Sequence, residues 1–401
     1  MAIAEGSTTD FRYKKEATAN TEESGSGGST LRRVTAEIEL VKPEVVSQEK
    51  RTDFQETNVT HGTRSVNWSV NGEMFGGDYK EFFAAGLRRD FAGVTQITAD
   101  LSISSGVVTR AAGDFISDGL YTGLVVRLGS MGTTGNLNRN LRITALTTTT
   151  MTVEAVDGGA AVADDAGPNA SATVDVPGQF TFVPSTSHTS DTFTIEKHET
   201  KTDTSHIARG CKVGVIDFSA QPDNPPGVSF SGIGIDRRSV SAGDAPVLTS
   251  PSAAGTGALM SAGIGYCRIN AAQVAVVTGF DMQVNNNLQN APVIFNNVSP
   301  DVFYGRAMEV TGTIVVLKEG ITLSDIFDDE TEVALEFFIE APGSDPQAFM
   351  AIYLGRAKLN TATEADNDGP DTQTFAFRAI KPLTATGINE TTIMFQDSSV
   401  S

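Results

Sequence analysis

Apolar and polar residues alternate along several short segments of the chain, which predicts strands with one buried face. The first such segment is residues 31–41, L-R-R-V-T-A-E-I-E-L-V. The second, residues 65–75, places Val66, Trp68 and Val70 on one face. Similar patterns predict further strands at residues 192–198, 211–218, 227–235, 267–277, 308–317, 349–359 and 374–380.

Two segments show the helical period instead. In the first, apolar residues recur at i, i+3, i+4 and i+8, and Asp78 stands three residues before Glu81, which is the spacing of a capping box. In the second, Thr322 stands three residues before Asp325. We therefore expect two short helices that lie on sheets. The residues expected to pack against those sheets are Tyr79, Phe82, Phe83 and Leu87 in the first helix, and Leu323, Ile326 and Phe327 in the second.

The order of strand, glycine turn and helix occurs twice. Residues 70–87 begin V-N-G and residues 310–327 begin V-T-G, at an offset of 240 residues, although the second helix is offset by 244. We expect the strands at 267–277, 349–359 and 374–380 to match those at 31–41, near 193 and near 229. The pattern predicts a duplication. The predicted units are residues 31–95 with 179–240, and residues 262–401, joined by a linker at 241–261.

Two segments differ in amino-acid composition from the predicted units. Residues 1–30 include a polar glycine-serine segment and are predicted to be a flexible N-terminal arm. After Phe91 the residues become small and β-branched, and residues 96–178 are predicted to be an inserted β-domain. The predicted fold class is therefore mainly β: two tandem units of β-sandwich or barrel type, each with a short flanking helix, plus an inserted small β-domain.

The net charge of the chain argues against a site that binds nucleic acid tightly. The chain has 49 acidic and 29 basic residues and a formal net charge of -20, so a groove that neutralises phosphates is not expected. Two interpretations stay open, a generally acidic soluble surface or a surface that lies beside nucleic acid without binding it. Fourteen acidic and four basic residues follow Leu323, so we expect this half to supply an acidic wall.

No motif predicts chemistry. Cys211 and Cys267 are the two cysteines, which gives neither a disulfide framework nor a metal cluster. Residues 364–371 resemble half a calcium loop, but Phe375 stands at the twelfth position, where the loop needs a glutamate. The sequence has no phosphate loop and no G-x-S-x-G elbow, so we predict no catalytic residue, no metal and no cofactor. It has no run of about 18 apolar residues, so membrane insertion is not expected.

In residues 64–87, 193–199, 210–219 and 306–314, the chain resembles the major tail tube proteins of long-tailed bacteriophages. The resemblance implies a β-unit with a flanking helix, whose strands join those of neighbouring subunits into rings that stack into a hollow tube for genome passage. It also implies a location in the virion tail after assembly in the host cytoplasm. The implied partners are other copies of the chain, the tape measure, terminator and baseplate proteins, and passing DNA that is not tightly bound.

If proteins with one unit close as hexamers, a chain with two fused units should close as a trimer with pseudo-sixfold symmetry. The polar loops 42–62 and 281–304 are candidates for contacts between rings, because long ordered loops usually have a function. The candidate stacking residues are Glu49, Arg51, Asp53, Phe54, Asn286, Asn287, Gln289 and Asn290. The alternatives are a virion decoration or adhesin that binds the cell surface through the inserted domain, and an enzyme acting on cell-envelope polymer.

Overall fold

The structure is a computed structural model, and the fold is mainly β, as predicted. The structure describes residues 3, 5–50, 52–53, 55–137, 139–156, 161–270, 272–274, 276–318, 320, 322–343, 346–365, 369–382 and 391–400. Two α-helices and two 3-10 turns, at Gly6–Thr8 and Thr134–Asn136, accompany the strands within these residues.

The strands of residues 1–182 fall into two groups, separated by the first helix. The first helix is α1 (Lys80–Leu87). Before it lie β1 (Thr9–Lys15), β2 (Ser29–Thr30), β3 (Thr35–Val41), β4 (Glu44–Val46), β5 (Val59–His61) and β6 (Ser65–Glu73). After it come β7 (Ile97–Ser104), β8 (Val107–Arg110), β9 (Val125–Gly129), β10 (Leu141–Leu146), β11 (Thr150–Ala155), β12 (Asp165–Asp175) and β13 (Gln179–Phe182).

The remaining strands and the second helix follow in the same way. The first group is β14 (Phe193–Glu199), β15 (Thr204–Ala220), β16 (Gly227–Gly234), β17 (Asp236–Ser241), β18 (Ser261–Ile269), β19 (Ala272–Val274) and β20 (Val277–Asn285). The second is β21 (Leu288–Asn290), β22 (Val302–Tyr304), β23 (Glu309–Leu317), α2 (Thr322–Asp328), β24 (Glu332–Glu340), β25 (Phe349–Ala365), β26 (Thr372–Ala379) and β27 (Met394–Asp397).

One order of antiparallel pairing occurs twice. In the N-terminal set, β3 pairs with β6, β6 with β16 and β16 with the second half of β15, whose first half pairs with β14 and β17. In the C-terminal set, β20 pairs with β23, β23 with β26 and β26 with the second half of β25, whose first half pairs with β24 and β27. β1 lies beside β14 as β18 lies beside β24.

The repeated order corrects the strand correspondences expected from sequence. The strand that matches β3 is β20, not residues 267–277, and β25 matches β15, not the strand near 193. Residues 281–285 of the predicted loop 281–304 belong to β20, although Asp281, Gln283 and Asn285 are polar. These residues alternate with Phe280, Met282 and Val284, which are buried, so the segment is a half-buried strand.

The N-terminal arm is also corrected. Phe11 and Tyr13 are buried, and β1 pairs with β14 over its whole length. The glycines and serines of residues 24–29 dominated the composition and hid this short apolar alternation. In the segment 241–261, which we expected to be a linker, the backbone N–H groups of Val247 and Leu248 each donate to the Glu196 carboxylate at 2.8 Å.

The six strands β7 to β12 close a separate barrel in the order β10, β11, β8, β7, β12, β9. The chain enters and leaves it at one place, because Ala92 and Phe180 exchange backbone hydrogen bonds of 2.9 and 3.0 Å. The barrel docks on β27 through the buried side chain of Gln396, which accepts from Val125 N–H at 2.8 Å and donates to Val125 O at 3.0 Å.

Candidate assembly surface

Helix α1 forms the centre of an aromatic core. Phe82 is fully buried, and its ring lies 4.8 Å from that of Tyr13 and 5.3 Å from that of Phe193. Phe83 stacks on Phe395 at 4.3 Å. The other residues expected on this helix face, Tyr79 and Leu87, are also buried. Burial raises the pKa of the Tyr79 phenol, whose hydroxyl donates to the carbonyl oxygen of Glu73 at 3.0 Å.

Helix α2 is less deeply packed. Leu323, Ile326 and Phe327 are partly buried against the same continuous core. The helix lies over β25 and β26, where the Gln373 amide donates to the Ser324 hydroxyl at 3.3 Å. Both helices therefore cover the core face of their sheets and leave the opposite face exposed.

A buried carboxyl joins the last strand to the turn before α1. Asp397 is 2% exposed and accepts hydrogen bonds of 2.8 Å from the N–H groups of Gly77 and Ser399. Burial raises the pKa of Asp397 to about 6, although these two hydrogen bonds act in the opposite direction and the charge of Asp78 adds to the rise. Burial also raises the pKa of Asp78, which Arg32 contacts at 3.2 Å.

The first candidate stacking loop, residues 42–62, carries the β4–β5 hairpin. Its apolar residues Val45 and Val59 are 51% and 55% exposed. Glu49 and Asp53 are exposed on the connection between the two strands. Arg51 and Phe54, which we also expected at a ring contact, lie outside the described residues.

The second candidate loop carries the β21–β22 hairpin and behaves differently. Asn286 is 2% exposed, and its amide donates to the carbonyl oxygens of Gly86 at 2.8 Å and Val213 at 3.3 Å. Asn286 therefore binds within the chain and is not available to another ring, which corrects our expectation for this residue. Asn287 and Asn290 are half-buried and Gln289 is exposed.

Beyond Asn290 the same loop first extends into solvent and then returns to the start of β6. The Arg64 N–H donates to the carbonyl oxygen of Asn297 at 2.9 Å. Ile294 and Phe295 at the tip are 80% and 103% exposed, which is unusual for large apolar side chains on a soluble surface. This tip is the most apolar exposed point of the two candidate loops within the described residues.

The β21–β22 hairpin packs on the N-terminal set. Val302 is completely buried, and its carbonyl oxygen accepts a hydrogen bond from Lys212 Nζ at 2.5 Å. The guanidinium of Arg88 lies 3.9 Å from the ring centroid of Tyr304. No local pattern in the sequence predicts these contacts, because each joins residues about 90 to 220 positions apart.

The two sets share one sheet through a direct strand junction. Val215–Ala220 of β15 pairs with Phe280–Asn285 of β20, so the sheet runs β3, β6, β16, β15, β20, β23, β26, β25. Within the described part of the chain, this sheet ends in two strand edges that pair with no further strand: the outer edge of β3 and the edge of Thr361–Ala365 in β25. Such unpaired edges are places where another chain can add.

The exposed face of this sheet is polar and mainly acidic. Alternation along the paired strands puts six carboxylates on it: Glu37, Glu39, Glu73, Asp217, Asp281 and Glu309. Lys358 and Arg378 lie on the same face, and Arg378 forms an ion pair with Glu309 at 2.9 Å. Contrary to our expectation, these carboxylates come from strands before Leu323, because the later described strands present mostly Thr and Ala here.

The described residues contain no group of three or more His, Cys, Asp or Glu side chains placed to hold a metal ion. Both cysteines are buried thiols, and burial raises the pKa of each. None of the helices in the described ranges is long and apolar enough to cross a membrane.

Comparison with known families gives one match. The family model described as phage tail tube protein matches residues 6–379, which is nearly the whole chain. No curated protein matches the chain. The matched span contains the strands from β1 to β26, the shared sheet and the barrel of β7 to β12, and it ends before β27. The chain thus belongs to the phage tail tube protein family, whose members are structural components of the virion tail.

Proposed function

We infer that the chain is the repeating subunit of a tail tube: three copies close into a ring with pseudo-sixfold symmetry, and rings stack into a hollow conduit for the genome. The observation that carries this proposal is the repeated pairing order, in which the N-terminal and C-terminal sets act as two tandem units. The β15–β20 junction already joins those units side by side within one chain.

Ring closure follows from the direction of the strands. Each copy contributes eight antiparallel strands to the shared sheet, from β3 to β25. An even number of antiparallel strands lets the last strand of one copy meet the first strand of the next in the same antiparallel sense. Three copies would give a barrel of twenty-four strands, and closing it removes the edges that make an open sheet prone to aggregation.

The exposed face of the sheet lines the conduit in this proposal. Serine, threonine and asparagine are its commonest side chains, and the carboxylates outnumber the cations. A wall of this kind repels phosphates and makes no counterion-releasing contacts, so DNA would pass without tight binding. The tape measure, terminator and baseplate proteins are the partners we propose for the lumen and the two ends of the tube.

Stacking of rings is assigned to the loops that leave the sheet. The tip with Ile294 and Phe295 and the exposed β4–β5 hairpin carry apolar side chains that the single chain leaves in water. Contact with the next ring would bury them. The barrel of β7 to β12 stays attached to the C-terminal unit through Gln396 and Arg268, and Arg268 contacts Glu154 at 2.8 Å.

Electron microscopy of the purified chain at high concentration tests the proposal. Striated hollow tubes or closed rings are the expected result. Discrete monomers at every concentration would contradict it, and cell binding by such monomers through the barrel of β7 to β12 would favour the adhesin. Hydrolysis of cell-envelope polymer by the monomer would favour the enzyme.

A further inference from the structure

We propose that the ring closes by pairing Thr361–Ala365 of one copy with Glu37–Val41 of the next, with Thr363 directly opposite Glu39. This inference rests on the proposed function, because it assumes a ring of identical copies. It goes further by naming the two edges and the register in which they pair.

The register follows from the junction inside the chain. Thr35 pairs with Asn71 as Gly279 pairs with Val315, so β3 and β6 match β20 and β23 at an offset of 244 residues. The register break at Val213/Val215 matches that at Leu359/Thr361, so β15 and β25 match at an offset of 146. The pair Asp217 and Gln283 of the internal junction therefore becomes Thr363 and Glu39 between copies.

The two halves of β15 and of β25 differ in the number of neighbouring strands with which they pair. The first half of β15 lies between β14 and β17, and the second half between β16 and β20. The first half of β25 lies between β24 and β27. The second half of β25 pairs with β26 and, among the described residues, has no strand on its other side. In the N-terminal set, the equivalent position beside the second half of β15 is occupied by β20. The strand that matches β20 is β3, so β3 of another copy is the strand we expect beside the second half of β25.

The side chains are compatible with this register. On the exposed face, Thr363 and Ala365 would lie opposite Glu39 and Glu37, so no two like charges would face each other. On the core face, Ala362 would meet Leu40. A slip by one residue would place Thr363, on the exposed face of one copy, opposite Ile38, which is buried on the core face of the next.

Two polar groups already have partners near this edge. The Glu364 carboxylate accepts hydrogen bonds of 2.7 Å from Lys318 and Gln373, so its charge enters the junction already paired. The Ile38 carbonyl oxygen accepts a hydrogen bond of 3.1 Å from Arg237. A carbonyl oxygen has two lone pairs, so that hydrogen bond need not break when the strands pair.

An independent observation comes from the hairpins. The β4–β5 hairpin follows β3 as the β21–β22 hairpin follows β20, and Val59 holds the place of Val302. Val302 is 0% exposed because it packs on the N-terminal set, whereas Val59 is 55% exposed. In the ring, the C-terminal set of the neighbouring copy would cover Val59.

A lysine occurs at the matching place for that contact. Lys212 donates to the Val302 carbonyl oxygen, and the offset of 146 puts Lys358 in its position. Lys358 now contacts Glu330 at 2.8 Å, and the Glu330 side chain is 77% exposed. Exposed ion pairs of this kind contribute little to stability, so Lys358 can exchange partners when the next copy arrives.

Cysteine cross-linking tests the register. Directly opposite residues have Cα atoms about 4.5–5.5 Å apart, within disulfide range, whereas diagonal neighbours are about 7–8 Å apart. The double variant Thr363→Cys/Glu39→Cys should give disulfide-linked dimers and trimers on mild oxidation. The control Thr363→Cys/Glu37→Cys, on the same face but two residues out of register, should give few. The variant Asp217→Cys/Gln283→Cys should cross-link within one chain whether or not rings form.

The outcomes separate the two proposals. Rings in the microscope that cross-link only through the Thr363→Cys/Glu37→Cys control, or through neither pair, would overturn the register and leave the tube function standing. A chain that forms no ring, while the internal pair still cross-links, would overturn the proposed function itself.

Discussion

The side-chain amide of Asn286 donates a hydrogen bond to the backbone carbonyl oxygen of Gly86 at 2.8 Å, across 200 residues of sequence. Gly86 lies in the last turn of α1, and Asn286 follows directly on β20. This contact ties the helix of the N-terminal set to the first strand of the C-terminal set, next to the junction that we take as the template for ring closure.

Replacing Asn286 with Ala should lower the free energy of unfolding by about 1 to 3 kcal/mol, because it leaves two buried carbonyl oxygens without their donor. Gln289→Ala, at an exposed position of the same hairpin, is the matched control and should change stability by less than about 0.5 kcal/mol. Chemical denaturation of both variants checks this. Equal effects would show that the Asn286 amide does not hold the junction.

Val59 and Val302 should respond oppositely to truncation. Val302→Ala should lower the free energy of unfolding of the isolated chain by about 2 kcal/mol, because the Val302 side chain is fully buried. Val59→Ala should leave unfolding of the isolated chain almost unchanged and weaken ring formation about tenfold per contact, if about 1.4 kcal/mol of burial is lost. Denaturation at low concentration and sedimentation at high concentration separate the two effects. Unchanged ring formation by Val59→Ala would contradict the proposed hairpin contact.

Asp397 should make stability fall as pH rises. Its pKa is about 6 in the folded chain against an ordinary value of 3.8, so the folded state holds the proton more tightly. Its contribution is therefore fully present below about pH 4 and is lost as pH rises to about 6, at a cost of about 3 kcal/mol. The stability advantage of the wild type over Asp397→Asn should shrink by that amount between pH 4 and pH 7.

Denaturant unfolding of both proteins across this pH range measures the difference directly. Gln289→Ala, which changes no titratable group at an exposed position, is the control and should keep a constant difference from the wild type across this range. A wild-type advantage that stays constant with pH would show that Asp397 titrates normally in the folded chain.

Phe295 should matter to stacking and not to folding. Its side chain is 103% exposed, so Phe295→Ser should leave the free energy of unfolding within about 0.5 kcal/mol of wild type. Tubes of this variant should be shorter, or single rings should accumulate, in electron micrographs. Val34→Ser, at a position 64% exposed away from this tip, is the control. Tubes of normal length from Phe295→Ser would exclude this tip from the stacking contact.

Local patterns predicted α1, β6 and β16 well, because the burial of Val66, Trp68, Phe82 and Phe230 follows directly from strand or helix periodicity. They did not predict β20 as a strand, since its exposed face carries Asp, Gln and Asn, which composition alone assigns to a loop. The role of Asn286 also could not be predicted, because it depends on a contact 200 residues away that no local pattern records. The sequence pattern predicts two tandem units, but only the hydrogen-bonded pairing of the strands shows which strand of one set matches which strand of the other.

A reconstruction of the assembled ring by electron cryo-microscopy tests the central claim most directly. The account predicts three chains per ring, threefold symmetry with a pseudo-sixfold arrangement of β-units, and a closed barrel in which β25 of each copy pairs with β3 of the next. A ring of six chains, or a ring in which the β3 edge stays unpaired, would contradict it.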